Sequence, residues 1–324
     1  MTQTLAIVER LPGHTEVMGG FAALGLELGY DVHLLFNHTD AFHMVEYLGA
    51  RLGIGADHIH EWSYVNDPSF HFDVILLNTS CVWLDYGFRL QQWNSSKGLI
   101  VVHHLPEDIE LNPHGASLYL TPAVDQEKWI FPLYGKPGAH RESALDELPA
   151  GNGDGLPTLV TIGALDLKDI AGVAAYMKAG GKVVHYDRHK CHHFTDESNY
   201  TQHVALTGVD FMNSLGQQEQ PMFLWFPITP KSHYMVYRFT GALIMGVDMN
   251  CIMVMPERFR QLYGFPEDAV ITYESSVMEE ECVEKLRASP RERQERRKRL
   301  AAWAVERWEK NLEIFRGLVG ARSA

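Results

Sequence analysis

Short apolar runs alternate with longer amphipathic stretches along most of this chain, and that alternation predicts strands followed by helices. Leu5 to Val8 is the first run. The loop Leu11-Pro12-Gly13-His14 follows, then a helix from about Thr15 to Leu28 closed by Gly29, then a strand from Asp31 to Phe36. This is a strand–helix–strand opening. A helix from about Ala41 to Leu52 comes next, then strands at His58 to Trp62 and Phe72 to Leu77. Helical sequence from Trp83 to Trp93 leads into a strand at Gly98 to Val102. A last strand pair is expected at Ser117 to Thr121 and Trp129 to Leu133.

The pattern lapses over residues 135–157, which are rich in Gly, Pro and polar side chains and read as a linker. A second series then begins. Its strand Leu159 to Ile162 is followed by the loop Gly163 to Lys168, a helix from about Asp169 to Ala179 and a strand from Lys182 to Tyr186. Further strands are expected at Val204 to Thr207 and at Met222 to Phe226, the latter ending at Pro227. A polar loop with Lys231, Ser232 and His233 opens a helix whose Tyr234, Tyr237, Leu243, Ile244 and Val247 recur at helical spacing. A strand at Cys251 to Met255, a helix ending near Tyr263-Gly264 and a strand at Ala269 to Tyr273 complete the series. From Pro290 to about Leu318 runs one long charged helix. The fold class is therefore α/β with parallel sheets. Its parts are residues 1–134, the linker 135–157, a second domain 158–289, and a C-terminal helix 290–324 that packs back onto the body.

Bulk properties narrow the function classes. With 324 residues the chain accommodates two ordinary domains, and an apolar fraction of 46% supplies their cores. A formal net charge of -13 argues against duplex nucleic acid or an anionic membrane as partner. No apolar run of about 18 residues occurs, so no membrane span is expected. The first residues lack the basic and apolar regions of a signal peptide, and the four cysteines are widely spaced, so a reduced, cytoplasmic setting is expected.

Four segments carry a family resemblance. They are Pro12-Gly13-His14 with Gly29-Tyr30-Asp31-Val32, the strand end Val101-Val102-His103-His104, the loop Gly163 to Lys168, and the stretch from Arg238-Phe239-Thr240-Gly241 to Tyr263-Gly264. Together they resemble the GT-B class of glycosyltransferases, in a divergent form that is GT4-like or GT1-like. In the retaining GT4 branch of that class the third segment reads G-R-L-x-x-x-K and binds donor phosphates. Here Ala164 replaces the Arg and Lys168 comes one residue early. The paired glutamates E-x7-E of the retaining branch have no counterpart. The resemblance implies two Rossmann-like domains facing across a cleft. It implies a metal-independent transferase that moves a hexosyl or related group from a nucleoside-diphosphate sugar to a glycan or other hydroxyl acceptor. The donor would sit in the second domain and the acceptor in the first, with no cofactor beyond the sugar nucleotide. Two alternatives stay open: a non-catalytic nucleotide- or sugar-binding protein of this fold, and a sugar-nucleotide epimerase.

Such a transferase must neutralise a leaving diphosphate, hold the donor and place an acceptor hydroxyl. Without a metal, Lys, Arg and helix-start amides meet the phosphate charge. Lys168, beyond Gly163, is one such candidate or else a solvated lysine. Lys231, Ser232 and His233 form a second, although Ser232 also suits a helix cap. Arg238 serves either the donor or the packing. Glu274 follows the last strand, where a carboxylate suits ribose hydroxyls; Ser275 or Ser276 there suits capping the next helix. His14 is the candidate general base, since an imidazole exchanges protons near neutrality. It is equally readable as a helix-start residue, with Gly13 shaping its loop. His103 would touch the donor sugar if the resemblance holds, and otherwise bonds backbone. His185, His189, Cys191, His192 and His193 match no zinc spacing, so no metal ligands are expected. The basic run Arg291 to Arg299 reads as a solvated helix face, with Trp303 and Trp308 packing the helix down.

Overall fold

The computed structural model describes residues 2–10, 15–37, 44–67, 69, 71–78, 99–103, 116–122, 125–137, 155–163, 169–187, 193–194, 197–204, 206, 210, 223–228 and 241–320. They divide into two compact units. One comprises Met1–Lys136, Tyr237–Ile244 and Glu306–Ala324, the other Pro137–Val236 and Met245–Val305.

The first unit holds β1 (Thr4–Glu9), α1 (Thr15–Glu27), β2 (Asp31–Phe36), α2 (Met44–Leu52), β3 (Ile59–Glu61), β4 (Val74–Leu77), β5 (Leu99–His103) and β6 (Ala116–Tyr119). All strand pairs are parallel, in the order β3-β2-β1-β4-β5-β6. Strands covered on both faces need apolar side chains throughout, which is why β1 and β4 read as unbroken apolar runs. Ala6, Val8, Leu35, Phe72, Ile75 and Leu77 form one of the resulting cores. α1 lies close to the rest of the unit because Gly20 faces the backbone of Pro132, where a Cβ would collide.

The second unit repeats the plan. β7 (Thr158–Ile162), α3 (Ile170–Lys178), β8 (Lys182–Asp187), β9 (Tyr200–Val204), β10 (Phe223–Trp225), α4 (Gly241–Asp248), β11 (Ile252–Pro256), α5 (Glu257–Tyr263), β12 (Ile271–Tyr273) and α6 (Glu280–Leu286) follow in order. Read from the other edge, β9-β8-β7-β10-β11-β12 is the same parallel order. Both halves are thus Rossmann-like, wound outward in two directions from β1/β4 and from β7/β10. Leu159, Tyr176, Trp225, Ile252, Val254 and Leu286 belong to the core of the second.

Two strand expectations change, and one helix expectation is not tested. The edge strand is Tyr200–Val204 and not Val204 to Thr207. It pairs with β8 from Val183↔Tyr200 to Asp187↔Val204, and none of its side chains is fully buried, so no apolar run marks it. The expected strand at Trp129 to Leu133 is a single bridge between Tyr119 and Trp129. Phe131 is satisfied instead by Asn311, whose Oδ1 accepts from its N–H at 3.2 Å and whose Nδ2 donates to its carbonyl at 2.5 Å. The helix expected at Trp83 to Trp93 lies outside the described residues.

α7 (Pro290–Gly320), about 46 Å long at the usual rise, contributes to both units. Its basic run is not wholly solvated. Arg296 Nη1 donates to Val270 O at 2.9 Å, Arg297 Nε to Asn250 O at 2.9 Å, and Arg293 stacks over Phe223. Trp303 packs on Phe265 with ring centroids 4.3 Å apart. Farther along, buried Arg307 covers the Trp129 ring, donates to Trp129 O and bonds Asn311 Oδ1 at 3.1 Å. Burial lowers the Arg307 pKa to about 9, so the guanidinium is still charged at neutral pH.

Candidate functional site

In open sheets of this order, ligands bind beyond the strands' carboxyl ends where the winding reverses, because the two flanking loops part there. The first sheet reverses between β1 and β4. Glu9 ends β1 and Asn78 follows β4; both are fully buried, and Asn78 Nδ2 donates to Glu9 Oε2 at 2.7 Å. Asn78 N also donates to Val8 O at 2.9 Å, which locks the two strand ends in register. Asn37, just past β2, donates its Nδ2 to Arg10 O at 3.0 Å. The segment entering the loop of Gly13 and His14 is thereby fixed.

The second sheet reverses between β7 and β10. Gly163 follows β7 with φ +87, the left-handed region where a side chain is strained. Its N–H donates to Tyr186 O at 2.8 Å. His185, fully buried in β8, braces the same turn: Nε2 lies 2.8 Å from Gly163 O and Nδ1 2.6 Å from the Tyr200 hydroxyl. A carbonyl only accepts, so Nε2 carries the proton there. Asp187 Oδ2 stands 3.6 Å from Nε2 at the end of β8.

One bond ties the described ends of the segments that flank this reversal point. Asp169, one residue past Lys168, donates its N–H to Pro227 O at 2.6 Å, four residues before Lys231. The Asp169 carboxylate caps α3 by accepting from Gly172 N at 2.9 Å. At the end of β10, the Tyr273 hydroxyl donates to Phe226 O at 2.9 Å and accepts from Trp225 Nε1 at 3.3 Å. Burial raises the Tyr273 pKa, which keeps that donor protonated.

Among the described residues, Gly163 is the predicted site residue that stands at this reversal point. Glu274 lies elsewhere: it follows β12, three strands from β7 and so about 14 Å away, and is exposed. Its N–H joins those of Ser275 and Ser276 around the Glu279 carboxylate, at 3.0, 2.6 and 2.9 Å. Despite a desolvation cost, these amides and the Ser275 hydroxyl pull the Glu279 pKa down to about 2. His103 ends β5 opposite Tyr119, one strand from β4; its side chain lies outside what is described. Gly13, His14, Lys168, Lys231, Ser232, His233 and Arg238 lie outside the described residues.

Sequence reasoning passed over Glu9, Asn78, His185 as a brace, and Tyr200. A usable signal existed for two of them. Glu9 is a charge closing an apolar run, and His185 is a polar residue inside one. Cys282 offers no nucleophile, since burial pushes its thiol up to about 12.

No family model matches the chain, and no curated protein matches its sequence. Among solved structures it is similar to a UDP-N-acetylglucosamine 2-epimerase at 13% identity and TM-score 0.47, over 100% of this chain and 98% of that one. It is similar to Arabidopsis thaliana UGT89C1 complexed with UDP at 13% identity and TM-score 0.48, over 100% of both chains. A third similar structure is the glycosyltransferase VinC in complex with DTDP, at 12% identity and TM-score 0.42, over 98% of this chain and 96% of that one.

Proposed function

We propose that this chain is a metal-independent glycosyltransferase that moves a sugar from a nucleoside diphosphate to a hydroxyl acceptor. The observation that carries the reading is the β7/β10 reversal point. There the left-handed Gly163 turn, braced by His185, and the Asp169–Pro227 bond bring two strand-end loops together. Those loops carry Lys168 and Lys231, the two cations best placed in sequence to meet a diphosphate. The resemblance of the Gly163 to Lys168 segment to a donor-phosphate loop supports the same assignment. The donor belongs to residues 158–289 and the acceptor to residues 1–134, where His14 acts as general base beyond the fixed Glu9–Asn78 pair. The chain works in the cytoplasm.

Thermal denaturation with UDP, GDP, ADP and TDP tests the donor half. At least one diphosphate raises the melting temperature by mass action, and failure of all four overturns the assignment. Lys168→Ala weakens diphosphate binding, whereas His14→Ala spares binding and removes turnover. The reverse pattern would overturn both roles. Donor hydrolysis without acceptor separates a transferase from a pure binding protein, and product analysis separates it from an epimerase.

A further inference from the structure

A second cluster of chemistry sits in the first unit, at the opposite end of its strands. Asp31 opens β2 and His33 follows two residues later, so their side chains share one face of the sheet. His58 immediately precedes β3, and the register Leu34↔Ile59 brings it beside His33 on that face. His58 Nε2 lies 2.9 Å from Asp31 Oδ1, and His33 Nε2 lies 3.7 Å from Asp31 Oδ2. One ligand atom from each of the three residues falls within 4.8 Å of the others. Ligands bound at about 2.0–2.1 Å in a tetrahedral zinc site stand about 3.3 Å apart, a separation inside that range.

The outer nitrogens make the case stronger than proximity alone. Metal-ligating histidines hold their second ring nitrogen against a carboxylate or another polar group, which fixes the ring and tunes its basicity. His33 has such a partner here, and His58 has a carboxylate within ion-pair reach. His58 Nδ1 stands 3.0 Å from Asp57 Oδ1, and His33 Nδ1 stands 3.4 Å from His60 Nε2. His60 is in turn stacked on Tyr64 at 4.9 Å. The site is open to a cation: the Asp31 and His58 side chains are 42% and 29% exposed, while His33 is anchored at 13%.

We propose that Asp31, His33 and His58 form a binding site for a divalent transition cation of the zinc class. Two imidazoles and one carboxylate suit zinc and its neighbours and disfavour magnesium and calcium, which take oxygen ligands. A fourth position is left for water. Ligation requires one adjustment. The His33 and His58 rings are stacked at 4.4 Å with planes 27° apart, and they must open to aim at a single ion. His58, the more exposed ring, makes that movement. The bound cation clamps the three-residue edge strand β3 to β2. From Asp31 to Phe36 the strand rises about 17 Å, so the clamp is remote from the carboxyl-end crevice and the proposed sugar transfer stays metal-independent.

Titration of chelator-stripped protein with zinc chloride, followed by calorimetry, is the test. One equivalent binds at micromolar or lower concentration, and zinc raises the melting temperature while calcium and magnesium do not. Cobalt(II) replaces zinc and gives the intense visible bands of a four-coordinate ion. His33→Asn and His58→Asn each weaken zinc binding about 100-fold or more, and Asp57→Asn about 10-fold. Cys191→Ser with His192→Gln, altered at the other histidine-rich segment, binds zinc as the parent does. The proposal is overturned if the parent shows no saturable equivalent, if the bound cobalt is six-coordinate, or if His33→Asn and His58→Asn bind like the parent. Loss of binding in the Cys191/His192 variant overturns it as well. The cobalt spectrum is read on the parent chain, so it stands even where a variant does not fold.

Discussion

β2 and β8 hold the same place in two sheets of the same strand order, and each carries a histidine. His33 lies near the amino end of its strand, partly exposed, with Nε2 turned toward a carboxylate. His185 lies in the carboxyl half of its strand, fully buried, with both nitrogens committed to Gly163 and Tyr200. Topology alone does not assign the role. At the carboxyl end His185 is drawn into bracing the Gly163 turn, while His33 at the amino end is clear of that duty. The bracing of each unit differs in the same spirit. The second sheet steadies its reversal point with a side chain of its own. The first ties its reversal point with Glu9 and Asn78, and leans besides on α7, whose Arg307 and Asn311 stand in for a missing strand beside Trp129 and Phe131.

The sharpest way to break that contrast is Asn311→Leu. It leaves the N–H of Phe131 without its partner and takes a bond from Arg307, both buried, while the Phe131 carbonyl keeps the Leu133 N–H. At 1–3 kcal/mol for each stranded group, the loss is about 4 kcal/mol. Arg297→Ala, on the part of α7 that serves the second unit, takes one part-buried bond from the Asn250 carbonyl and costs about 1 kcal/mol. Urea denaturation of both variants measures the difference, and equal losses would mean that α7 is not a strand substitute.

Next in size, His185→Ala strands Gly163 O, takes a bond from the Tyr200 hydroxyl and leaves a cavity, for about 3 kcal/mol. His33→Ala, in metal-free protein, costs about 1 kcal/mol, because its ring is partly solvated. His185→Ala also loses diphosphate affinity and His33→Ala does not. The comparison of the two strands fails if the two variants behave alike.

The centre of each sheet was legible in the sequence because strands buried on both faces are apolar at every position; Val-Ile-Leu-Leu in β4 and Ile-Met-Val-Met-Pro in β11 admit few other readings. The edges were not. β9 runs Tyr-Thr-Gln-His-Val, and its place depends on the backbone of β8 rather than on any pattern of its own. The Gly163 turn was visible as a glycine closing an apolar run. Its brace was hidden, because a buried histidine is intelligible only with the partners that satisfy it, here 15 and 22 residues away. Glu9 with Asn78, 69 residues apart, and Asn311 with Phe131, 180 apart, are illegible for the same reason.

Gly163→Ala isolates the turn from the brace. Among the described residues no atom lies within 4 Å of the added Cβ, so the penalty is that of a left-handed backbone, about 1–2 kcal/mol. Stability and UDP-type affinity fall together if the turn cradles the donor. A stability loss with unchanged diphosphate affinity places the phosphate elsewhere on the sheet.

The smallest effect concerns the far edge of the second sheet, where Glu279 gathers the amides of residues 274–276. Its folded pKa of about 2 lies below the ordinary glutamate value near 4.3. The folded state therefore binds this proton less readily than the unfolded chain. The carboxylate's contribution is fully present above about pH 4.3 and is lost as pH falls through about 2. Because the group is partly solvated, solvent screens it, and the effect is local rather than global. Hydrogen exchange of the 274–276 amides, corrected for intrinsic rates, loses protection across that window. In Glu279→Gln a single amide oxygen replaces the carboxylate, so protection is lower at pH 6 and flat from there to pH 2. Flat behaviour in the parent would show that the turn after β12 holds without the carboxylate. The edge of the second sheet would then resemble the edge of the first, where β3 is short and its polar neighbours serve something other than the turn.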